Sequence, residues 1–269
     1  MKRIISVLTV LSILLFSVSV SAEKLVIKGS TTVLPIAQKT AEAFMKDYPD
    51  IDVTLSGGGS GNGIKALIDQ TADIGNASRF IKDKEVNLCV ENNVYPVPHR
   101  IALDAIVPVV NKKNTVKNLS LSDLEKIYLG KVKNWKDFGG PDMEIVVISR
   151  DSSSGTYGVW SKIVLGKKRV TPRALTVPSN GAIVQAVAST KGAIGYIGLG
   201  YMNDDIKPVD VNGVKGTEET TKTGEFPISR ALFMFTNGWP EGKTAKFINY
   251  VLSEKGQSLV KKAGSIPVY

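Results

Sequence analysis

Apolar and polar positions alternate in blocks along the first third of the chain, and each block has the period of a strand or a helix. Residues 24–28 alternate as in a strand, and residues 34–48 carry apolar side chains on one helical face. A second strand is predicted at 51–56, a helix at 64–70 after a glycine-rich stretch, and a third strand at 72–77. Because strand, polar loop and helix repeat in this order, the pattern favours a parallel α/β sheet with crossover helices.

The same alternation resumes in the second half of the chain, after an apolar run at 105–111. The predicted elements there are helices at 122–129, from the 152–156 loop to about 164, at 179–189, 243–252 and 254–263, and strands at 144–149 and 193–197. Residues 201–225 are polar and contain glycine, which indicates hairpin and loop, and residues 228–236 are apolar again. The whole chain therefore has an α/β pattern.

The first 22 residues have the layout of a secretory signal peptide. Lys2 and Arg3 precede a mostly apolar run, residues 4–20, which ends in the small residues Val20-Ser21-Ala22. Serines interrupt this short run, so a retained membrane anchor, which needs ~20 mostly apolar residues, is the weaker alternative. No cysteine follows the run, which excludes lipid attachment there. We therefore expect export to a bacterial periplasm and a mature chain that begins at Glu23.

Composition narrows the classes of protein to which this chain can belong. Its 269 residues are 43% hydrophobic and 22% charged, which fits a globular protein with one large domain or two lobes. The single cysteine, Cys89, excludes an intramolecular disulfide, and the single histidine, His99, excludes multi-histidine metal sites. We accordingly expect neither a metal nor a cofactor.

The chain is basic, with a formal charge of +9, or about +7 without Lys2 and Arg3. Because the lysines are scattered, the excess is either a solvated surface or a field that attracts anions. Nucleic-acid binding would call for clustered arginines with interleaved aromatic residues. The sequence lacks such a patch, so we expect no nucleic-acid partner.

Four polar loops follow predicted strands and lead into predicted helices. They are Ser-Thr-Thr at 30–32, Gly-Ser-Gly at 59–61, Ser-Arg at 78–79, and the segment from Arg150 to Thr156. In a parallel α/β sheet such strand ends meet at one edge, where ligands bind. Helix N-termini and hydroxyls supply N–H and O–H donors there, and Arg150 adds a guanidinium suited to a tetrahedral oxyanion. Together the loops predict an anion pocket.

Each loop also has an ordinary structural interpretation. Ser-Thr-Thr before a helix is common N-capping, a glycine-rich run is often a flexible turn, and Arg150 could form a surface ion pair with Asp151. The functional hypothesis depends on the coincidence of several similar loops at one architectural position. Catalysis has less support, because a Ser-His-Asp triad would have to use His99, which no nucleophile motif accompanies.

Specific segments at these loops carry a family resemblance. They are Gly-Ser-Thr-Thr-Val-Leu-Pro at 29–35, Ser-Gly-Gly-Gly-Ser-Gly at 56–61, Ala-Asp-Ile-Gly-Asn-Ala-Ser-Arg at 72–79, Ser-Arg at 149–150 and Ser-Gly-Thr at 154–156, with weaker matches at 124–140, 192–196 and 256–257. In this order they resemble the phosphate-binding proteins of bacterial ABC transporters, in the shorter branch of that family. The resemblance covers nearly all of residues 23–269.

This resemblance implies a type II-like periplasmic-binding-protein fold, in which two α/β lobes, each a central sheet flanked by helices, are joined by two crossing strands. Residues 23–103 and 229–269 would form lobe one and residues 104–228 lobe two, with hinges near 102–107 and 227–233. The chain would bind inorganic phosphate and deliver it to a membrane permease and an ATPase. It is thus expected to be a monomer and not an enzyme.

The resemblance also implies a set of phosphate-binding residues. They are Thr31, Thr32 and Ser60 from lobe one, Arg150, Ser154, Gly155 and Thr156 from lobe two, and Ser30, Ser78 and Arg79 as neighbours or direct donors. One position departs from the better-known branch, where the third loop ends in Ala-Ser-Asp and the carboxylate accepts the proton of monohydrogen phosphate. Here Arg79 follows Ser78, and it either contacts the anion or pairs with an acid elsewhere.

Three alternatives stay open on the sequence. The same fold can be specific for sulfate, molybdate or another oxyanion, since the family's aspartate is missing. An exported phosphatase or esterase would use Ser154 or Thr156 as its nucleophile. A signalling or adhesion module would keep the fold without transport.

Overall fold

The computed structural model describes residues 22–269. Of the predicted signal peptide, residues 1–21 therefore lie outside the described residues. Within the described part, no helix is both long enough and apolar enough to cross a membrane. The helices are α1 Leu34–Asp47, α2 Ser60–Ile68, α3 Asp83–Glu91, α4 Leu121–Tyr128, α5 Gly155–Ile163, α6 Asn180–Ser189, α7 Glu218–Lys222, α8 Gly242–Leu252 and α9 Glu254–Lys262. The strands are β1 Glu23–Gly29, β2 Ile51–Gly57, β3 Ile74–Ala77, β4 Pro96–Asn111, β5 Asn118–Leu119, β6 Val146–Arg150, β7 Leu175–Val177, β8 Ala193–Gly198, β9 Ile206–Pro208, β10 Asp210–Val211 and β11 Ser229–Asn237.

The predicted elements differ from the observed ones mainly where glycine, proline or charge weakens the pattern. Helix α2 begins at Ser60, inside the glycine-rich stretch, rather than at residue 64. Strand β4 is 16 residues long and contains two prolines and several polar side chains before the apolar run at 105–111. The 201–225 segment, predicted as hairpin and loop, also contains α7.

One sheet runs through the molecule in the order β2-β1-β3-β11-β4-β8-β6-β7, with β9 paired to β4. Strands β1, β2 and β3 are parallel, and so are β6, β7 and β8. Between these two groups lie β11 and β4, which pair with each other antiparallel. The chain passes from one group to the other along β4, opposite the start of β11, and Asp104 there faces Arg230.

Two hydrophobic cores lie on either side of these central strands. One is built from residues between Leu25 and Ala102 together with residues 232–263, and a smaller satellite cluster adjoins it around Cys89. The other draws on residues 105–228, with Trp160 stacked on Tyr196 at a centroid distance of 4.3 Å. We call these halves the first and second lobe. The lobe boundaries at 103/104 and 228/229 stay a prediction that these cores support.

Candidate anion-binding cleft

The cleft between the lobes is formed by strand ends and helix starts. The first lobe contributes the 30–32 loop between β1 and α1, the start of α2, and Ser78 after β3. The second lobe contributes Arg150 at the end of β6 and the starts of α5 and α6. The polar side chains at these positions are buried, Ser60 completely and Arg150 with 3% of its surface exposed. Buried polar groups of this kind need hydrogen-bond partners, and their partners include both other cleft side chains and backbone groups.

Close backbone packing places α2 at the cleft. A Cβ atom on Gly63 would lie 2.7 Å from both the Asn76 carbonyl oxygen and the Gly29 Cα, so no larger residue fits there without a shift. The helix start therefore reaches the end of β3, where the Ser78 backbone N–H donates to Ser60 Oγ at 2.9 Å. The two serine hydroxyl oxygens lie 3.3 Å apart, and either can be the donor.

The second lobe meets this serine pair with the start of α5. Ser154 is the N-cap, and its Oγ accepts from the Tyr157 backbone N–H. The N–H groups of Gly155 and Thr156 belong to the helix's first turn and have no partner within the helix. A Cβ on Gly155 would lie 2.2 Å from Ser60 Oγ and 2.6 Å from Ser78 Oγ, so the absence of a side chain lets the lobes approach.

Arg150 is held by backbone carbonyls on one side and left free on the other. Its Nε donates to the Val177 carbonyl at 3.1 Å, and its Nη2 donates to the Pro178 carbonyl at 2.8 Å and to Thr31 Oγ1 at 3.4 Å. Its buried Nη1 has no hydrogen-bond partner among residues 22–269. Burial lowers the pKa of this guanidinium from its ordinary value, but arginine stays protonated at neutral pH. The cleft thus contains a fixed positive charge with unused donors.

Two residues of the sequence-predicted set make other contacts. Arg79 donates to both carboxylate oxygens of Glu85, at 2.8 and 2.6 Å, and packs its Cδ against the position of Gly158 in α5. Of the two options for Arg79, the structure shows pairing with an acid. Ser30 Oγ accepts from the backbone N–H groups of Thr32 and Val33, so it caps the turn at 31–33 that leads into α1, close to the N-capping interpretation of that loop.

Sequence reasoning missed Asn180 and Tyr201, which bind the first loop from the second lobe. Asn180 Nδ2 donates to the hydroxyls of Thr31 and Thr32 at 3.2 and 3.0 Å. The Tyr201 hydroxyl donates to the Thr31 backbone carbonyl at 2.5 Å. Nothing in the local sequence separates Asn180 from an ordinary residue at a helix start, so no single-sequence signal indicates its role.

Sequence reasoning also missed the buried pair of Asp104 and Arg230. Nε and Nη2 of Arg230 donate to Asp104 Oδ2 at 2.9 and 2.7 Å, and the Leu199 backbone N–H donates to Asp104 Oδ1 at 2.9 Å. Burial raises the pKa of the Asp104 carboxyl from its ordinary value, while Arg230 and the Leu199 N–H act in the opposite direction. A signal was present here, because both residues are charged within otherwise apolar runs.

This arrangement suits anion binding, and in the part of the chain that the structure describes neither Ser154 nor Thr156 is hydrogen-bonded to a base. The Thr156 hydroxyl contacts Arg230 and Thr32, and the Ser154 hydroxyl accepts from a backbone N–H. His99 lies near the start of β4, where its Nε2 is hydrogen-bonded to Thr236 Oγ1 at 2.8 Å. Burial lowers the pKa of His99, which favours its neutral form. None of these contacts places a base beside Ser154 or Thr156.

Comparison with known proteins gives consistent relatives over nearly the whole chain. A model of the PBP superfamily domain matches residues 17–255. The phosphate-binding protein PstS of Bacillus subtilis is 35% identical over 246 residues, which span 91% of this chain and 80% of that protein. PstS of Borreliella burgdorferi is 32% identical over 259 residues, or 91% of each chain.

Solved structures agree with these sequence relatives. A phosphate ABC transporter substrate-binding protein from Clostridium perfringens, crystallised with bound phosphate, superposes with a TM-score of 0.86 at 35% identity, covering 92% of this chain and all of that one. An ABC-type phosphate transport receptor from Vibrio cholerae gives a TM-score of 0.74 at 30% identity, covering 90% of this chain and 99% of the receptor.

Proposed function

Since this chain belongs to the family of bacterial phosphate-binding proteins within the PBP superfamily, we propose that it binds inorganic phosphate in the cleft between its lobes. The observation that carries the proposal is the Nη1 of Arg150, a buried cationic donor without a partner among the described residues, on a side chain that also contacts the Thr31 hydroxyl of the other lobe. A buried donor without a partner is unfavourable, and a tetrahedral anion would satisfy it. The N–H groups at the start of α5 would add further donors to the same anion.

The proposed binding residues come from both lobes. Thr31, Ser60 and Ser78 would donate to the anion from the first lobe, and Arg150, Ser154, Gly155 and Thr156 from the second. Thr32 would act through its contact with the Thr156 hydroxyl. Ser30 would act by holding the turn at 31–33 before α1, and Arg79 by its contact with Glu85 rather than by touching the anion. With hydroxyls and N–H groups as the main donors, the anion would be neutralised by fixed dipoles and by one unpaired guanidinium.

Capture would depend on movement of the lobes about β4 and β11, near residues 102–107 and 227–233. Contacts that join the lobes support this, among them the Gly61 backbone N–H donating to the Ser153 carbonyl at 2.8 Å. Such contacts form fully only when the lobes are together, so a ligand bound by both lobes favours the closed arrangement. The proposed lobes are residues 23–103 with 229–269, and residues 104–228.

We further propose that the protein works outside the cytoplasmic membrane, in the periplasm, after removal of residues 1–22. It would act as a monomer and deliver phosphate to the permease and ATPase of an ABC importer without catalysing a reaction. The names of its relatives, which include a phosphate ABC transporter substrate-binding protein, support this assignment.

Isothermal titration calorimetry of the purified protein with phosphate and with sulfate tests the proposed function. We expect saturable binding of one phosphate per chain and weaker binding of sulfate. Tighter binding of sulfate would favour the alternative oxyanion, and no saturable phosphate binding would overturn the proposal. A parallel assay with a chromogenic phosphate ester should give no turnover that depends on Ser154 or Thr156.

A further inference from the structure

The two arginines of the cleft differ in how their N–H groups are used. All five N–H groups of Arg230 have acceptors: Nε and Nη2 bind Asp104, Nη2 also binds Thr32 Oγ1 at 3.2 Å, and Nη1 binds the Ser78 carbonyl at 3.2 Å and Thr156 Oγ1 at 3.0 Å. A guanidinium carries five N–H donors and no acceptor. Arg230 therefore has no donor left for an anion and can act on one only through the two threonine hydroxyls.

The orientation of the Asn180 amide follows from its backbone partner. The Gly198 backbone N–H, which can only donate, points to Asn180 Oδ1 at 3.2 Å. The Nδ2 end must then face Thr31 and Thr32, and each of its two hydrogens has one hydroxyl oxygen as acceptor. Asn180 is completely buried, so water does not compete for these contacts.

These donors determine the direction of the hydroxyl groups. A threonine hydroxyl has two acceptor lone pairs and one O–H to donate. Thr31 Oγ1 accepts from Asn180 and Arg150, and Thr32 Oγ1 accepts from Asn180 and Arg230, so both lone pairs of each oxygen are in use. The 3.2 Å contact between Thr32 and Thr156 can then run only from Thr32 to Thr156, whose oxygen also accepts from Arg230.

We propose that Asn180 and Arg230 are positioning residues that hold the hydroxyls of Thr31, Thr32 and Thr156 as donors, so that Thr31 and Thr156 direct their protons at the bound anion. The inference rests on the proposed function and adds a rule of specificity to it. The Thr31 and Thr156 hydroxyls would donate hydrogen bonds to unprotonated anion oxygens, and they would disfavour a P–OH group at the same positions. The serine pair Ser60 and Ser78 differs, since the bond between them can run in either direction and leaves a hydroxyl oxygen able to accept a hydrogen bond from a P–OH group.

Two substitutions at Asn180 separate positioning from a structural role. N180L removes the amide but no hydroxyl, so Thr31 and Thr32 can still donate after reorienting. N180D keeps an acceptor for the Gly198 N–H but presents a carboxylate to the hydroxyls of Thr31 and Thr32. The Thr31 proton then turns away from the anion, the Thr32 proton turns away from Thr156, and the cleft gains a negative charge. The charged groups that donate to these hydroxyls are Arg150, to Thr31, and Arg230, to Thr32. Asp104 in turn accepts from Arg230.

We expect phosphate affinity at pH 8 to fall about 10-fold in N180L and about 100-fold in N180D, because only the latter reverses the donors. As the pH falls towards 5, protonation of the introduced carboxylate should bring the phosphate affinity of N180D towards that of N180L. Both affinities are divided by the wild-type affinity at the same pH, because phosphate itself titrates in this range. A purely structural role predicts the opposite order, since N180L loses the Gly198 contact and N180D retains it.

Arg230 is tested with its partner replaced, because R230M alone would leave Asp104 buried without a cation. The double variant D104L/R230M exchanges the pair for apolar side chains, a change that buried ion pairs often tolerate. Phosphate affinity should fall about 10-fold while the melting temperature is retained. Unchanged affinity in a folded double variant would overturn the role of Arg230.

The outcomes separate this inference from the proposed function. No phosphate binding by the wild-type protein would overturn both. Binding by the wild type, combined with N180D binding as tightly as N180L at pH 8, would overturn the positioning role of Asn180 alone.

Discussion

Asp104 and Arg230 face each other on antiparallel strands β4 and β11, where the guanidinium donates twice to one carboxylate oxygen at 2.9 and 2.7 Å. The carboxylate side chain is fully buried and the guanidinium is 3% exposed. The pair lies where the chain passes between the two cores, and Arg230 also reaches hydroxyls in both lobes. It therefore joins the central strands β4 and β11 to the candidate anion-binding cleft.

Breaking this pair should destabilise the whole protein. D104N leaves the Arg230 charge buried without a counter-ion, which we expect to lower the free energy of unfolding by about 3–5 kcal/mol. Urea unfolding measures the change. The control is E218Q, which breaks the exposed pair with Lys222 on one face of α7 and should change stability by less than ~0.5 kcal/mol. Equal effects of the two substitutions would contradict this account.

Arg150 and Arg79 should differ sharply in phosphate binding. R150Q removes the free Nη1 donors, and we expect calorimetry to show a loss of about 100-fold in affinity. The matched double variant R79Q/E85Q removes a guanidinium that is already satisfied by a carboxylate, together with that carboxylate. Its affinity should stay within about 3-fold of wild type, since the charge near the anion barely changes. A larger loss in the double variant would place Arg79 on the anion.

Gly155 should matter for closure rather than for folding. In G155A the new methyl group would collide with Ser60 and Ser78 of the other lobe, so phosphate affinity should fall about 100-fold or more while the ligand-free protein keeps its melting temperature. G181A is the control at the start of α6, where a Cβ meets only Ser179 Oγ at 3.9 Å. Small-angle X-ray scattering with phosphate should show compaction for G181A and none for G155A.

Glu85 should give the protein a specific loss of stability in acid. Burial by itself would raise the pKa of this carboxyl, but the Arg79 guanidinium and the Lys82 backbone N–H outweigh burial and hold the pKa below its ordinary value of 4.5. A lowered folded-state pKa contributes stability above the unfolded-state value, and this stability is lost as the pH falls through the folded-state value. The melting temperature, measured by thermal unfolding between pH 6 and pH 3, should therefore fall more steeply with pH for wild type than for E85Q. D83N, on the same turn of α3 but outside the pair, should follow wild type.

The loops of the cleft were predictable because each is a local feature. A strand that ends in Ser-Thr-Thr or Ser-Gly-Thr before a helix determines where hydroxyls and helix N–H groups lie, and the parallel sheet brings those ends together. In the structure Gly155 lies against Ser60, and Arg150 and Thr156 contact the 31–32 loop, for this reason. The α/β class was predictable on the same grounds, since hydrophobic periodicity is read over short windows.

The polar network behind the loops was not predictable in the same way. Asp104 and Arg230 are 126 positions apart, and Asn180 is 148 positions from Thr32. No periodicity relates such positions, because their contact depends on the register of β4 with β11 and on the position of α6. The partner of Arg79 was equally ambiguous from the sequence, because either a bound anion or the carboxylate of an acidic residue can pair with a guanidinium.

Local sequence is sufficient to determine the alternation of strands and helices, the donor-rich loops and the class of ligand that those loops suit, because all three depend on residues within a few positions of one another. The direction in which each hydroxyl donates depends on partners brought together by folding. So does the fact that Arg79 and Arg230 each pair with a carboxylate, whereas Arg150 contacts backbone carbonyls and a threonine. Hydrogen-bond donors are fixed by chemistry, but which of them are already satisfied is a property of the packed molecule.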